Sequence, residues 1–190
     1  MTEPAPPLPD PEAGARRALA LDPHSAIAHY NLAFCLESDP ARAAEAETLY
    51  RRAIDLDPTS ARCIYRLALL LHEQLHRPAE AEAAYRRAID LAPCDPFYYG
   101  GLVSLLIHQS RRPEALPLAA KMRALLTAGR LWYGLAALDA LLGNTEAAME
   151  HLKRAAREGK MNADWACKDP DLASIRDDPR FSEIVGTVGQ

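Results

Sequence analysis

The sequence predicts an all-α fold of stacked helical hairpins, and three observations carry the prediction. Tyr50-Arg-Arg-Ala-Ile-Asp-Leu-Asp-Pro58 returns almost unchanged 35 residues later as Tyr85-Arg-Arg-Ala-Ile-Asp-Leu-Ala-Pro93, and Arg16-Arg-Ala-Leu-Ala-Leu-Asp-Pro23 lies 35 residues before the first copy. Ala and Leu supply 63 of the 190 residues, a helix-favouring bias with few β-branched runs. Prolines recur where one helix of a pair should end and the next begin. A fixed period of this size marks one supersecondary unit that cannot bury its own apolar face and therefore stacks on copies of itself.

Taken in order, residues 1–11 hold five prolines and read as an extended or disordered tail. Pro6-Pro-Leu-Pro9 within it also fits a ligand for a proline-binding module, although such tails are usually linkers. A helix is predicted from Glu12 to Leu21. Helix pairs follow at about 25–37 and 40–56, 60–75 and 78–91, 96–110 and 113–126, and 130–142 and 145–158. Pro40, Pro78 and Pro113 suit the first turn of the second helices. Asp39 is a cap for the helix at Pro40, and Asp95 for the one at Pro96. Gly143-Asn144 is a stop followed by a cap. Pro117 falls inside a second helix, where it removes a hydrogen bond. The last segment, 161–190, leaves the repeat. It starts two short turns with Asp169-Pro170 and Asp178-Pro179, each with its own apolar face: Leu172 and Ile175, then Phe181, Ile184, Val185 and Val188.

These pairs resemble the tetratricopeptide repeat (TPR) family over residues 12–160. The first helix of that motif carries a Leu followed by a small residue, matched by Leu32-Ala33, Leu67-Ala68 and Leu135-Ala136, with Leu102-Val103 as the poorest match. The second helix carries a small residue, an aromatic, an Ala and a closing Pro. Ala46, Tyr50, Ala53 and Pro58 fit, as do Ala81, Tyr85, Ala88 and Pro93. The resemblance implies a right-handed superhelix of about four repeats, with an N-terminal half-repeat and C-terminal capping helices. First helices would line a concave groove and second helices the convex back. The closing Asp-Pro segment looks like that of many bacterial TPR proteins and implies a cap over the last pair; an acidic tail folded into its own groove as a pseudo-ligand is the competing reading.

Composition narrows the function classes. Net charge is −4, which argues against a nucleic-acid role needing a basic face. No apolar run approaches the roughly 20 residues of a membrane span. The start lacks a signal-peptide pattern, so a cytoplasmic protein is expected. Eighteen Arg against four Lys hint at a GC-rich bacterial genome. Cys35, Cys63, Cys94 and Cys167 form no paired-ligand spacing and read as structural thiols.

Two motifs invite chemistry. His72-Glu73-Gln74-Leu75-His76 matches the zinc-protease pattern, whose histidines share a helix face while the Glu acts as general base, with Glu80 or His108 as conceivable third ligands. Its position at the end of a helix stopped by Pro78, and the lack of strands, favour a solvated helix end instead. The second constellation is basic. Some TPR co-chaperones clamp terminal carboxylates with five first-helix residues, and Asn31, Arg62 and Arg66 match three of them. Two Arg at i and i+4 point the same way, each with a fork for an anion; an ordinary solvated face is the alternative. Tyr30, Tyr65 and Tyr133 share one site on the first helices, with Phe34 and Phe97 nearby. In the third repeat that site is Gly100, followed by Gly101. Two helical glycines cost about 1 kcal/mol each relative to Ala, which calls for a close helix contact or a ligand backbone to offset it. No phosphate-cradling loop or nucleophile elbow is present, and no cofactor is called for.

The expectation is a non-enzymatic adaptor that binds another protein or peptide, an acidic segment included, without nucleic acid or membrane. Asn31, Arg62 and Arg66 would meet acidic groups, and Tyr30, Phe34, Tyr65, Phe97, Gly100, Gly101 and Tyr133 would supply the rest of the groove. A metallopeptidase using His72, Glu73 and His76 and a self-associating structural protein are the alternatives.

Overall fold

Several helices begin where a side chain can satisfy the first free backbone N–H groups. The computed structural model describes residues 10–187; the proline-rich 1–9 and Val188 lie outside them. Asp10 accepts from the Glu12 amide at 3.0 Å and starts α1, Pro11–Leu21, so Pro11 opens a helix rather than ending the tail. Ser25 caps α2, Ala26–Leu36. Asp39 caps a 3-10 turn, Pro40–Arg42, that leads into α3, Ala43–Leu56. Ser60 caps α4, Ala61–Glu73, and Pro78 opens α5, Pro78–Leu91. The remaining helices are α6, Phe97–His108; α7, Arg112–Ala128; α8, Trp132–Leu141; α9, Thr145–Arg157; α10, Ala163–Ala166; and α11, Pro179–Gly186, with a 3-10 turn at Pro170–Ile175. Among the described residues there is no strand: the protein is an all-α helical repeat.

Three details differ from expectation. Asp95 does accept from Phe97, but Pro96 is the cap residue and not the first of α6. The Asn144 side chain caps nothing; its amide donates to Asp139 Oδ1 at 3.2 Å. Helix α7 runs unbroken through Pro117, which sits in its second turn.

The chain divides into two units, Met1–Ala92 and Pro93–Gln190. In the first, α1 packs on α2, α2 pairs with α3, α3 packs on α4, and α4 pairs with α5. Ala33, Ala46 and Ala53 lie inside one hairpin and Ala68, Ala81 and Ala88 inside the next, all at most 2% exposed. Small residues let the backbones approach closely, and the space beside them is filled by Tyr50 and Tyr85, both fully buried. The repeat also returns as rings of charge. Glu12, Arg16, Arg42 and Glu45 close a four-membered ring with N···O distances of 2.8–3.1 Å. Glu47, Arg51, Arg77 and Glu80 repeat it 35 residues later at 2.6–3.1 Å. The hydrogen bond from Arg42 first, then that from Arg16, hold the Glu12 carboxyl below its ordinary range. Because these groups face water, the rings act mainly on register and weaken with salt.

In the second unit α6 pairs with α7, α7 packs on α8, and α8 pairs with α9. At Gly134 on α8 a Cβ would lie 2.7 Å from Leu126 Cδ2 of α7. The 3-10 turn at 170–175 rests on α8 and α9, and α11 rests on α9. Leu172, Ile175, Phe181 and Ile184 join Ala136, Ala148, Met149 and Leu152 in one buried cluster, with Val185 partly buried against it.

Enlarging the small residue at a hairpin crossing should overpack it. Ala81→Leu is expected to lower stability by about 1–3 kcal/mol, whereas Ala79→Leu, on the exposed side of α5, should change it by less than about 0.5 kcal/mol. Urea titration followed by circular dichroism measures both.

Candidate functional site

The first helices of the first unit, α2 and α4, bring four of the expected residues together. The Tyr30 and Phe34 rings stack at 6.2 Å along α2. From α4, the Arg62 guanidinium carbon sits 5.0 Å over the Tyr30 ring and that of Arg66 sits 4.5 Å over Phe34. Residues four apart lie one above the other on a helix, which makes the two-rung ladder of arginine on aromatic. Phe34 and Arg62 are exposed, Tyr30 is half-buried, and Asn31 lies exposed on the same helix as the rings.

The two arginines differ in what else they touch. Arg66 Nη1 is 2.9 Å from Glu37 Oε1. The other Glu37 oxygen accepts the Tyr50 hydroxyl, and the Gln74 amide donates to the Glu37 backbone carbonyl. Burial pushes the Glu37 carboxyl above its ordinary range, against the opposing pull of Tyr50 and Arg66. Arg62 forms no ion pair among the described residues, and its contact is the face of Tyr30. Of the two arginines expected to meet acidic groups, Arg66 is already paired with a carboxylate and Arg62 is not.

Tyr65, expected on the same surface, is instead buried in its hairpin, its ring 5.5 Å from that of Tyr85. The Tyr65 position follows the Tyr30 register, and the Tyr30 ring likewise lies 5.9 Å from that of Tyr50; the two differ in burial. In the second unit Phe97 is exposed and meets Tyr98 edge-on at 5.5 Å. Gly101 is buried. A Cβ at Gly100 would meet Met122 Cε at 3.7 Å, an ordinary contact, so that neighbour does not demand a glycine there. The Tyr133 hydroxyl donates to Asp169 Oδ2 at 2.6 Å, and burial followed by Asp169 raises its pKa. The acidic segment after α10 therefore already occupies Tyr133.

The zinc-protease pattern does not form its one-face histidine pair. Helix α4 ends at Glu73, and His76 lies beyond it in the left-handed region, φ 53°, where it turns the chain so that the Arg77 amide bonds back to Leu71 at 2.8 Å. Ser110 and Gly143 take the same left-handed role in the next two hairpins. His72 turns toward the Tyr85 hydroxyl at 3.4 Å. No group of three or more His, Cys, Asp or Glu converges among the described residues. The geometry gives the metallopeptidase alternative no support.

The family profile described as Tetratricopeptide repeat matches residues 64–172, more than half of the chain. The chain belongs to the tetratricopeptide repeat family. Solved structures with the same fold include MamA, with a TM-score of 0.57 and 22% identity over 63% of this chain and 68% of that one. YrrB, described as a TPR protein with an unusual peptide-binding site, has a TM-score of 0.56 and 17% identity over 91% and 93%. PilF of Pseudomonas aeruginosa has a TM-score of 0.59 and 24% identity over 92% and 79%. At these identities the likeness concerns the fold. Comparison with curated proteins gives no match. TPR proteins generally mediate protein–protein interactions and are typically scaffolds rather than catalysts. No helix among the described residues is long and apolar enough to cross a membrane.

One polar centre of this TPR chain escaped sequence reasoning. Asp139, 1% exposed, stands in α8 at the position that Leu36, Leu71 and Leu106 hold in the other repeats. It pairs with Arg123 of α7 at 2.5 and 3.2 Å, accepts from Asn144, and meets His151 Nδ1 of α9 at 3.0 Å. Burial alone would raise its pKa, but Arg123, Asn144 and His151 outweigh it and hold the carboxyl below its usual value. His151 in turn stacks on Trp132 at 5.9 Å, and Trp132 donates to Glu158. The signal was a lone charge inside the apolar run from Leu135 to Leu142; its partners were not legible. The thiols need no functional reading: Cys63 is buried, its pKa pushed up to about 12 by burial, and Cys94 and Cys167 are exposed.

Carboxyls depressed in the folded state add stability above their unfolded pKa, near 3.9, and lose it as pH falls through the folded value. Asp139 is depressed, and Asp178, bonded by the Arg180 side chain, is lowered to about 2. The second unit is therefore expected to lose stability progressively below about pH 4. Both tryptophans lie in that unit, so acid titration of intrinsic fluorescence reads it directly. Asp139→Asn should flatten this acid limb and lower stability at pH 7 by about 1–3 kcal/mol.

Proposed function

We propose that this chain is a non-catalytic adaptor that binds an extended protein segment across the first-helix face of α2 and α4. The observation that carries the reading is the exposed arginine–aromatic ladder, above all Arg62, a guanidinium on the Tyr30 face with no ion pair among the described residues. A guanidinium lying on a ring keeps its edge N–H groups for a carboxylate, while Tyr30 and Phe34 give apolar contact at little conformational cost. Asn31 adds an amide on α2. A peptide ligand, as stated for YrrB, agrees with such a surface.

In the second unit the exposed Phe97 and the partly exposed Gly100 are a further place for ligand contact. The segment from 161 onward serves in this reading as a cap, because its apolar residues complete the α8–α9 cluster. Its hold on Tyr133 through Asp169 leaves that ring to the cap and not to a ligand. The protein is proposed to work in the cytoplasm.

Arg62→Glu reverses the charge of the arginine on this face that has no ion pair among the described residues, without touching the hairpin core. Partner capture from host lysate, followed by titration of the recovered partner, should show affinity falling at least roughly tenfold, the scale of one charged hydrogen bond, at unchanged helicity. Unchanged affinity would remove this face from the binding site.

A further inference from the structure

Resting on that reading of the α2–α4 face, we infer that Glu37 limits the ligand to a single acidic group by occupying the second arginine. Arg62 and Arg66, one turn apart on α4, offer two guanidinium forks toward the same surface. The Arg66 fork is closed by Glu37 Oε1 at 2.9 Å. Glu37 is held from three sides. Its second oxygen takes the Tyr50 hydroxyl, its backbone carbonyl takes the Gln74 amide, and Phe34 lies under the partner guanidinium at 4.5 Å. Its side chain is only 16% exposed, and that of Arg66 29%.

The consequence is electrostatic. A ligand carboxylate at Arg62 meets one net positive charge. A second carboxylate directed at Arg66 meets a guanidinium whose charge is already paired and a fixed carboxylate within ion-pair distance, so like charges would share one partner. Displacing Glu37 is disfavoured because it would leave the buried Tyr50 hydroxyl without its acceptor. Glu37 thus acts as a specificity-determining residue, admitting segments with one acid beside apolar side chains and rejecting those with two acids spaced to span the arginine pair.

The test uses the full chain and three fluorescently labelled octapeptides rich in Leu, Phe and Ser, capped at both ends so that no terminal carboxylate contributes. They carry no Asp, one Asp, or two Asp at i and i+2, whose side chains lie on one side of an extended chain roughly 7 Å apart. Wild type should bind the one-Asp peptide best, with the second Asp giving no gain. Glu37→Gln keeps an acceptor for Tyr50 and frees Arg66, so the two-Asp peptide should gain roughly tenfold over the one-Asp peptide. Tyr50→Phe keeps the Glu37 charge and should leave the wild-type order unchanged, which separates charge from any loosening of the hairpin. The inference is overturned if wild type already prefers two Asp, or if Glu37→Gln leaves the order as it was; either result leaves peptide binding at this face standing. If none of the three peptides binds wild type, the reading of the face and the inference fall together.

Discussion

Close approach of paired helices at small residues is the constraint on which the first unit depends. Ala33, Ala46 and Ala53, and their counterparts Ala68, Ala81 and Ala88, leave no room for longer side chains where the helices cross. That approach creates a recess that one large residue per hairpin fills, and the repeat supplies Tyr50 and Tyr85. A buried tyrosine brings a hydroxyl that needs a partner. The partner lies near the C-terminal end of the preceding first helix: Glu37 for Tyr50 and His72 for Tyr85. Packing thus dictates which polar residues are drawn inward, and through Glu37 and Arg66 it reaches the charge of the outer face. Core geometry and surface chemistry are one linked arrangement here.

The second unit solves the same problem with different residues. Ala119 takes the place of the tyrosine, Met122 that of an alanine, and Gly134 brings α8 onto α7. With no second-helix tyrosine at the hairpin crossing, the polar centre there is Asp139, which ties α7, α8 and α9 through Arg123 and His151. A buried ion pair is weak evidence of net stability, because desolvation offsets the attraction. What Asp139 adds is directional: one carboxylate with three partners on three segments admits few alternative packings, whereas a leucine admits many.

Much of the fold was legible because it is written in local rules. The period, the Leu-small pairs, the Asp and Ser caps and the prolines placed the long helices to within a few residues. The site was legible only in part. Arg62, Arg66, Tyr30 and Phe34 were found as a group, since residues four apart share a helix face. That Glu37 neutralises Arg66 was missed, because the pair lies 29 residues apart. That separation is itself regular: Arg16–Glu45 and Arg51–Glu80 are also 29 apart, and Arg42–Glu12 and Arg77–Glu47 are 30 apart. In a 35-residue repeat such residues are neighbours across adjacent segments, so opposite charges at this offset are contact candidates. Tyr65 was misplaced for a related reason, since register fixes which helix face a residue shares but not how deeply the next helix covers it. The His72–His76 motif failed at the helix end, where His76 had to turn the chain.

The same first-helix tyrosine therefore meets three fates. Tyr30 remains half-buried beneath an arginine, Tyr65 is taken into its hairpin, and Tyr133 is claimed by Asp169. Sequence identity at the position does not decide among them; each ring meets a different neighbour within its own unit. Where α4 presents a long cation, Arg62, the guanidinium lies on the Tyr30 ring, which stays half-buried. Where the segment after α10 presents a carboxylate on a tight Asp-Pro turn, the Tyr133 hydroxyl is bonded and the ring is partly buried. The surroundings of the repeated tyrosine are thus set by residues on neighbouring segments, so one repeated position carries an arginine-stacked ring in one unit and a carboxylate-bonded one in the other.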